Sequence, residues 1–129
     1  MTIGDLKSYV FTDVSATNSG NVVPLLSSFA VKGQIVKVAW KSGNFAANGS
    51  VHIYASGNSL EPDELLLGMN QCSGNRILYP RTLLCDSGGT AIPAGDNRAG
   101  TFELNNYVTI WGSGCGASKS GAQLTMFYR

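Results

Sequence analysis

Side chains able to carry out chemistry are few in this chain and widely spaced. Its one histidine, His52, lies between Val51 and Ile53, so in a strand it points away from the face that those residues bury. A serine or cysteine nucleophile would need that imidazole beside it as a base. Cys115 follows Ser113-Gly114 in a predicted hairpin loop with no base near it in sequence. The sequence therefore predicts a protein that is not an enzyme.

Five of the eight acidic residues occur in two groups: Glu61, Asp63 and Glu64 lie in one segment, and Asp86 and Asp96 bracket a glycine-rich one. Carboxylates could act as a glycosidase pair or bind calcium. The chain has no Asp-x-Asp-x-Asp-Gly loop, however, and loop aspartates commonly form turns. The cysteine and histidine spacings are too wide for a zinc motif. We expect no metal and no cofactor, and a hydrolase that uses carboxylates alone is the remaining catalytic alternative.

The three cysteines, Cys72, Cys85 and Cys115, leave at least one thiol unpaired, which argues against an extracellular disulfide scaffold. Buried thiols are the simplest interpretation. Cys72 and Cys85 flank a segment that could form a hairpin, so a disulfide between them is the alternative in an oxidising medium.

Charge is sparse. Charged residues make up 13% of the chain, the formal net charge is +1, and the nine Lys and Arg form no run, so we expect no nucleic-acid binding. The longest apolar runs are far below the ~20 residues that cross a bilayer, so we expect no membrane insertion. The amino-terminal residues lack the pattern of a secretory leader, and we expect the chain to stay where it is translated.

Two segments share one pattern: an apolar strand, Trp, Ser-Gly, a polar loop, Gly and a second apolar strand. The first covers residues 35–54 with Trp40, and the second covers residues 107–127 with Trp111. Alternating side chains predict an antiparallel hairpin with one buried face in each copy, with both tryptophans in the core. The predicted core comprises Val36, Val38, Trp40, Val51, Ile53, Val108, Ile110, Leu124 and Met126.

Further strands are predicted where short apolar runs are separated by Gly, Ser and Asn: residues 6–12, 22–31, 65–72, 76–84 and 100–104. Residues 60–68 are expected to form a short helical turn or a loop. About eight strands in a single domain, residues 1–129, predict an all-β fold, an antiparallel β-sandwich of jelly-roll or immunoglobulin-like kind. A closed barrel is the competing architecture.

One apolar loop is predicted to contact a protein partner. Phe45, Ala46, Ala47 and Asn48 form its tip, and Phe45 is the expected exposed aromatic. Asn48-Gly49-Ser50 matches a glycosylation sequon but is interpreted as a turn.

The texture of the whole chain, with Gly, Ser, Asn and Ala between short strands and the terminal segment 120–128, resembles small structural proteins of tailed viruses, in particular head decoration or minor capsid proteins. The resemblance implies a non-catalytic virion protein, made in the host cytoplasm, that binds capsid or other virion proteins and stabilises the shell, as a homo-oligomer. The alternative is a carbohydrate-binding or lectin-like module, in which Phe45, Tyr54, Tyr107 or Trp111 forms a stacking surface.

Overall fold

Every regular element in the described part of this computed structural model, residues 6–45, 49–80, 82–83, 99–100 and 103–129, is a β-strand. The strands are β1 (Lys7–Val14), β2 (Leu25–Leu26), β3 (Val31–Lys41), β4 (Ser50–Ser56), β5 (Glu64–Met69), β6 (Arg76–Leu78), β7 (Thr82–Leu83), β8 (Ala99–Gly100), β9 (Glu103–Ser113) and β10 (Ala122–Tyr128). Their pairings are all antiparallel. The predicted all-β, antiparallel fold class is confirmed.

Eight strands form one continuous sheet that divides into two halves. The first half has the order β1-β10-β3-β6, and the second has the order β2-β9-β4-β5. They are joined where residues 31–34 of β3 pair with residues 103–106 of β9. The apolar faces of both halves contribute to one buried cluster, which gives the sandwich-like arrangement.

The two predicted hairpins do not form, and this prediction was wrong. The first strand of each copy pairs with the second strand of the other: β3 lies beside β10, with Val38 opposite Met126, and β9 lies beside β4, with Ile110 opposite Ile53. Because both copies carry the same alternating pattern, the pattern itself cannot choose between a local and an exchanged partner. The polar loops therefore cross from one half of the sheet to the other instead of closing hairpins.

Eight of the nine predicted core residues are no more than 1% exposed, and Val36 is the exception. Val36 is half-buried, and Ile35 takes its place in the core at 1% exposure. The cause is a β-bulge: Phe127 lies opposite Lys37, whereas Tyr128 lies opposite Ile35, so Val36 is the extra residue. A bulge reverses the alternation of faces, which strict periodicity could not anticipate.

Of the helical turn or loop expected within residues 60–68, the helical turn is absent: residues 60–63 form no regular element, and Glu64–Met69 is strand β5. Leu65 and Leu67 lie opposite Tyr54 and Ile53 of β4. Pairing along a central strand satisfies the backbone groups of this apolar run, which one isolated helical turn could not do. The residues before it, 57–61, form bends.

Candidate interaction surfaces

The only histidine lies on the outer face of the second half of the sheet, where alternation placed it. His52 is half-buried, and its ring centroid is 6.1 Å from that of Tyr54. Among the described residues, no three His, Cys, Asp or Glu side chains come together as a metal site would require. Over the same residues the structure contains no helix able to span a membrane.

Four half-buried rings form what we call the aromatic face: His52, Tyr54, Tyr107 and Trp111. Directly opposed residues of an antiparallel pair point to the same side, and His52 lies opposite Trp111. Tyr54 and Tyr107 share that side through their partners Thr109 and Ser56. Three of the four residues predicted to form a stacking surface are thereby brought onto one face.

The prediction that Trp111 packs in the core was wrong, and the sequence held the reason. Trp40 is two residues from Val38 and shares its buried side, whereas Trp111 directly follows the buried Ile110 and so points outward. Its indole Nε1–H donates to the backbone oxygen of Leu60 at 3.0 Å. The two tryptophans therefore have different roles, although the surrounding patterns look alike.

Phe45, the expected exposed tip of the partner-binding loop, is only 4% exposed, so this part of the prediction was wrong. Its ring packs edge-on against Trp40, with 5.5 Å between centroids. The apolar ring is more stable covering the open end of the core than in water. Ala46, Ala47 and Asn48 lie outside the described residues, and their contact with a partner stays a prediction.

Four connections that cross between the two halves meet at one end of the fold, which we call the crossover end. They are residues 15–24, the described residues 42–45 and 49 of the β3–β4 connection, residues 70–75 and residues 114–121. Backbone hydrogen bonds join them: the N–H of Cys72 donates to the oxygen of Gly49 at 3.1 Å, and the N–H of Cys115 donates to the oxygen of Gly20 at 2.9 Å. The indole N–H of Trp40 donates to the oxygen of Cys72 at 2.9 Å.

Cys72 and Cys115 are both 0% exposed at the crossover end, and the Cys115 thiol donates to the backbone oxygens of Ser113 at 3.4 Å and Ser50 at 3.6 Å. Burial, and then the neighbouring Cys72, raise the pKa of Cys115 to about 12. A thiol with this pKa stays protonated at neutral pH and is a poor nucleophile. Cys85 lies outside the described residues, so the predicted Cys72–Cys85 disulfide stays a prediction.

A groove of about 340 Å³ lies beside the short strand β6, and we call it the β6 groove. Six residues line it: Ala39, Trp40, Lys41, Asn75, Arg76 and Ile77. Ile77, opposite Ala39 in the register, is 58% exposed and gives the groove an apolar wall. Lys41 and Arg76 add two cations. Sequence reasoning missed this site because the pairing of β6 with β3 is not visible in either segment.

An exposed acidic segment covers the end of the β4–β5 connection and the first two residues of β5, and we call residues 60–65 the acidic ridge. Glu61, Asp63 and Glu64 are exposed, and they lie between two leucines, Leu60 and Leu65, that are 47% and 51% exposed. The sequence had singled out these acids as a possible catalytic or calcium group. The structure places these carboxylates on an exposed rim, where the partly exposed side chains of Leu60 and Leu65 flank them.

Comparison with known proteins assigns no family to this chain. No family model matches the chain, and neither does any curated protein. Among solved structures, the chain is similar to one from the structure of infectious bursal disease virus Gx strain, with 10% identity and a TM-score of 0.27. The similarity covers 95% of this chain and 32% of that one, so this chain spans about a third of the viral protein. At that TM-score the similarity assigns neither a fold family nor a function.

Proposed function

We propose that this protein is a non-catalytic structural component of a virion that binds neighbouring copies of itself and stabilises the shell. The observation that carries the proposal is the complementarity of two exposed surfaces, the β6 groove and the acidic ridge. The groove combines apolar walls with Lys41 and Arg76, and the ridge combines exposed leucines with three carboxylates. Apolar contact with opposed charges at its rim is the usual composition of a protein–protein interface.

The two surfaces lie at opposite ends of the fold, which determines how copies would assemble. Strand β4 begins at the crossover end and leads away from it to the acidic ridge, whereas Lys41 and Asn75 adjoin the crossover end. A copy cannot fill its own groove with its own ridge. Contact between the groove of one copy and the ridge of the next is head-to-tail, and it closes into a ring or extends along a surface.

The virion setting comes from the resemblance of the sequence to decoration and minor capsid proteins. Such a protein would be made in the host cytoplasm and would bind capsid or other virion proteins. Among the described residues, five large apolar side chains outside the groove and the ridge are between 38% and 58% exposed and supply further contact area: Leu6, Val10, Val23, Phe29 and Tyr79.

Charge reversal tests the self-contact. We expect the wild-type chain to form a defined oligomer in analytical ultracentrifugation, and both K41E/R76E and E61K/E64K to weaken it at least tenfold. Mixing the two variants should restore association, because each supplies the surface that the other lacks. K7E/K32E reverses two exposed lysines outside the groove and serves as the matched control. A monomeric wild type without affinity for capsid assemblies, or variants that behave like the control, would refute the proposal.

A carbohydrate-binding module is the second candidate, and the aromatic face favours it. Tyr54, Tyr107 and Trp111 present rings on one side of β4 and β9, as a sugar-stacking platform requires. A glycan array tests this candidate, and Trp111→Ala is expected to abolish any signal. Phe29 is 48% exposed outside the aromatic face, so Phe29→Ala is the control and is expected to preserve the signal. A silent array with the wild-type protein would eliminate it.

A further inference from the structure

Two buried thiols from different inter-sheet connections share one small space. Cys72 lies between β5 and β6, and Cys115 lies between β9 and β10, so each connection runs from one half of the sheet to the other. A Cβ placed on Gly49 would lie 2.6 Å from Cys72 Sγ and 2.8 Å from Cys115 Cα. Both cysteines therefore adjoin the same glycine, and Cys72 is close enough to influence the Cys115 thiol.

We propose that Cys72 and Cys115 form an intramolecular disulfide when the protein meets a small-molecule disulfide as oxidant. The bond would tie the β5–β6 connection to the β9–β10 connection at the crossover end. This pairing differs from the Cys72–Cys85 pairing that sequence spacing suggests. A partner bound at the surface would not contact either thiol, because neither is exposed.

The reaction balances as two successive exchanges. One cysteine thiolate attacks oxidised glutathione, forms a mixed disulfide and releases one glutathione thiolate. The second cysteine thiolate attacks the protein sulfur of that mixed disulfide, which forms the Cys72–Cys115 bond and releases the second glutathione. The two cysteines lose two electrons and two protons, and one glutathione disulfide becomes two thiols.

Burial sets when this exchange takes place. Attack requires a thiolate with access to the oxidant, and in the folded chain both thiols are covered. Oxidation is therefore expected during folding or transient opening of the crossover end, and slowly in the folded state. Once formed, the bond is shielded by the same packing from reducing thiols.

Peptide mapping of the full chain tests the pairing. The reduced chain is refolded in a mixture of reduced and oxidised glutathione, remaining thiols are alkylated under denaturing conditions, and the protein is digested without reductant. We expect a peptide pair linked through Cys72 and Cys115, with Cys85 alkylated. Before alkylation, the intact oxidised protein should be two hydrogen atoms lighter than the reduced chain. A Cys72–Cys85 link, a link between Cys85 and Cys115, or three alkylated cysteines would overturn the proposal.

A variant separates the contributions of the three cysteines. Cys85→Ser should keep the link, and its melting temperature should fall by about 10 °C on reduction with dithiothreitol, because the bond closes a loop of roughly forty residues in the unfolded chain. Cys115→Ala, also made in the Cys85→Ser background, should melt at the same temperature with and without reductant. Equal melting temperatures for oxidised and reduced Cys85→Ser would contradict the proposed bond. If Cys115→Ala does not fold, the mapping of the wild type and of Cys85→Ser still decides.

Discussion

Replacing Gly49 with alanine tests whether the crossover end is as tightly packed as the structure indicates. The added Cβ would lie 2.6 Å from Cys72 Sγ, 2.8 Å from Cys115 Cα and 2.8 Å from the backbone oxygen of Gly114. Two of these atoms are backbone and cannot move aside by rotating a side chain. Overpacking of this kind costs about 1–3 kcal/mol. For a chain of 129 residues, that lowers the melting temperature by about 4–11 °C.

Gly57→Ala is the matched control, because the nearest atom to its added Cβ is Asp63 Oδ2 at 3.7 Å, an ordinary contact distance. Thermal unfolding followed by circular dichroism under reducing conditions compares the two variants with the wild type. We expect Gly57→Ala to melt within about 2 °C of the wild type, since a tolerated exchange at an exposed site changes stability by about 0.5 kcal/mol. The packing argument fails if Gly49→Ala melts together with Gly57→Ala.

Three further changes probe the core and the thiols. Trp40→Phe should destabilise the chain by about 2–4 kcal/mol in urea unfolding, because it leaves a cavity and removes the donor to the Cys72 oxygen; an unchanged midpoint would contradict this role. Ser27→Ala should cost about 1–3 kcal/mol by the same assay, because the buried N–H of Val108 loses its acceptor at 3.0 Å; a loss below about 0.5 kcal/mol would count against this role. The pKa of Cys115 is raised from 9.0 to about 12, so the unfolded chain loses this proton first and stability of the reduced protein should fall as pH rises from about 9 towards 12. Cys115→Ala should show a smaller fall, and identical slopes would refute the assignment.

The fold class and most of the core could be predicted from sequence because both depend on local alternation. Val51, Ile53, Val108 and Ile110 are buried where the two-residue period puts them. Strand pairing depends instead on which distant segments meet. Because the two segments carry equivalent patterns, the sequence does not determine whether each strand pairs within its own copy or with the other copy. In the structure β3 pairs with β10 of the other copy, and the local hairpins do not form.

The candidate surfaces were predicted less completely. Tyr54, Tyr107 and Trp111 could be identified as aromatics in strands, but their common face follows from the register between β4 and β9. Phe45 was misplaced because loop residues have no period from which burial can be read. The neighbouring thiols of Cys72 and Cys115 come from separate connections, and no spacing rule relates them.

The position of β10 between β1 and β3 has a consequence for biosynthesis. During translation, the ribosome produces both flanking strands long before the strand that separates them, so their inner edges remain without a hydrogen-bonding partner in the meantime. Pairings over such long sequence distances form slowly, on the order of milliseconds to seconds. We therefore expect nascent chains to need protection from edge-to-edge association until β10 emerges, and overexpression at lower temperature to raise the yield of folded protein.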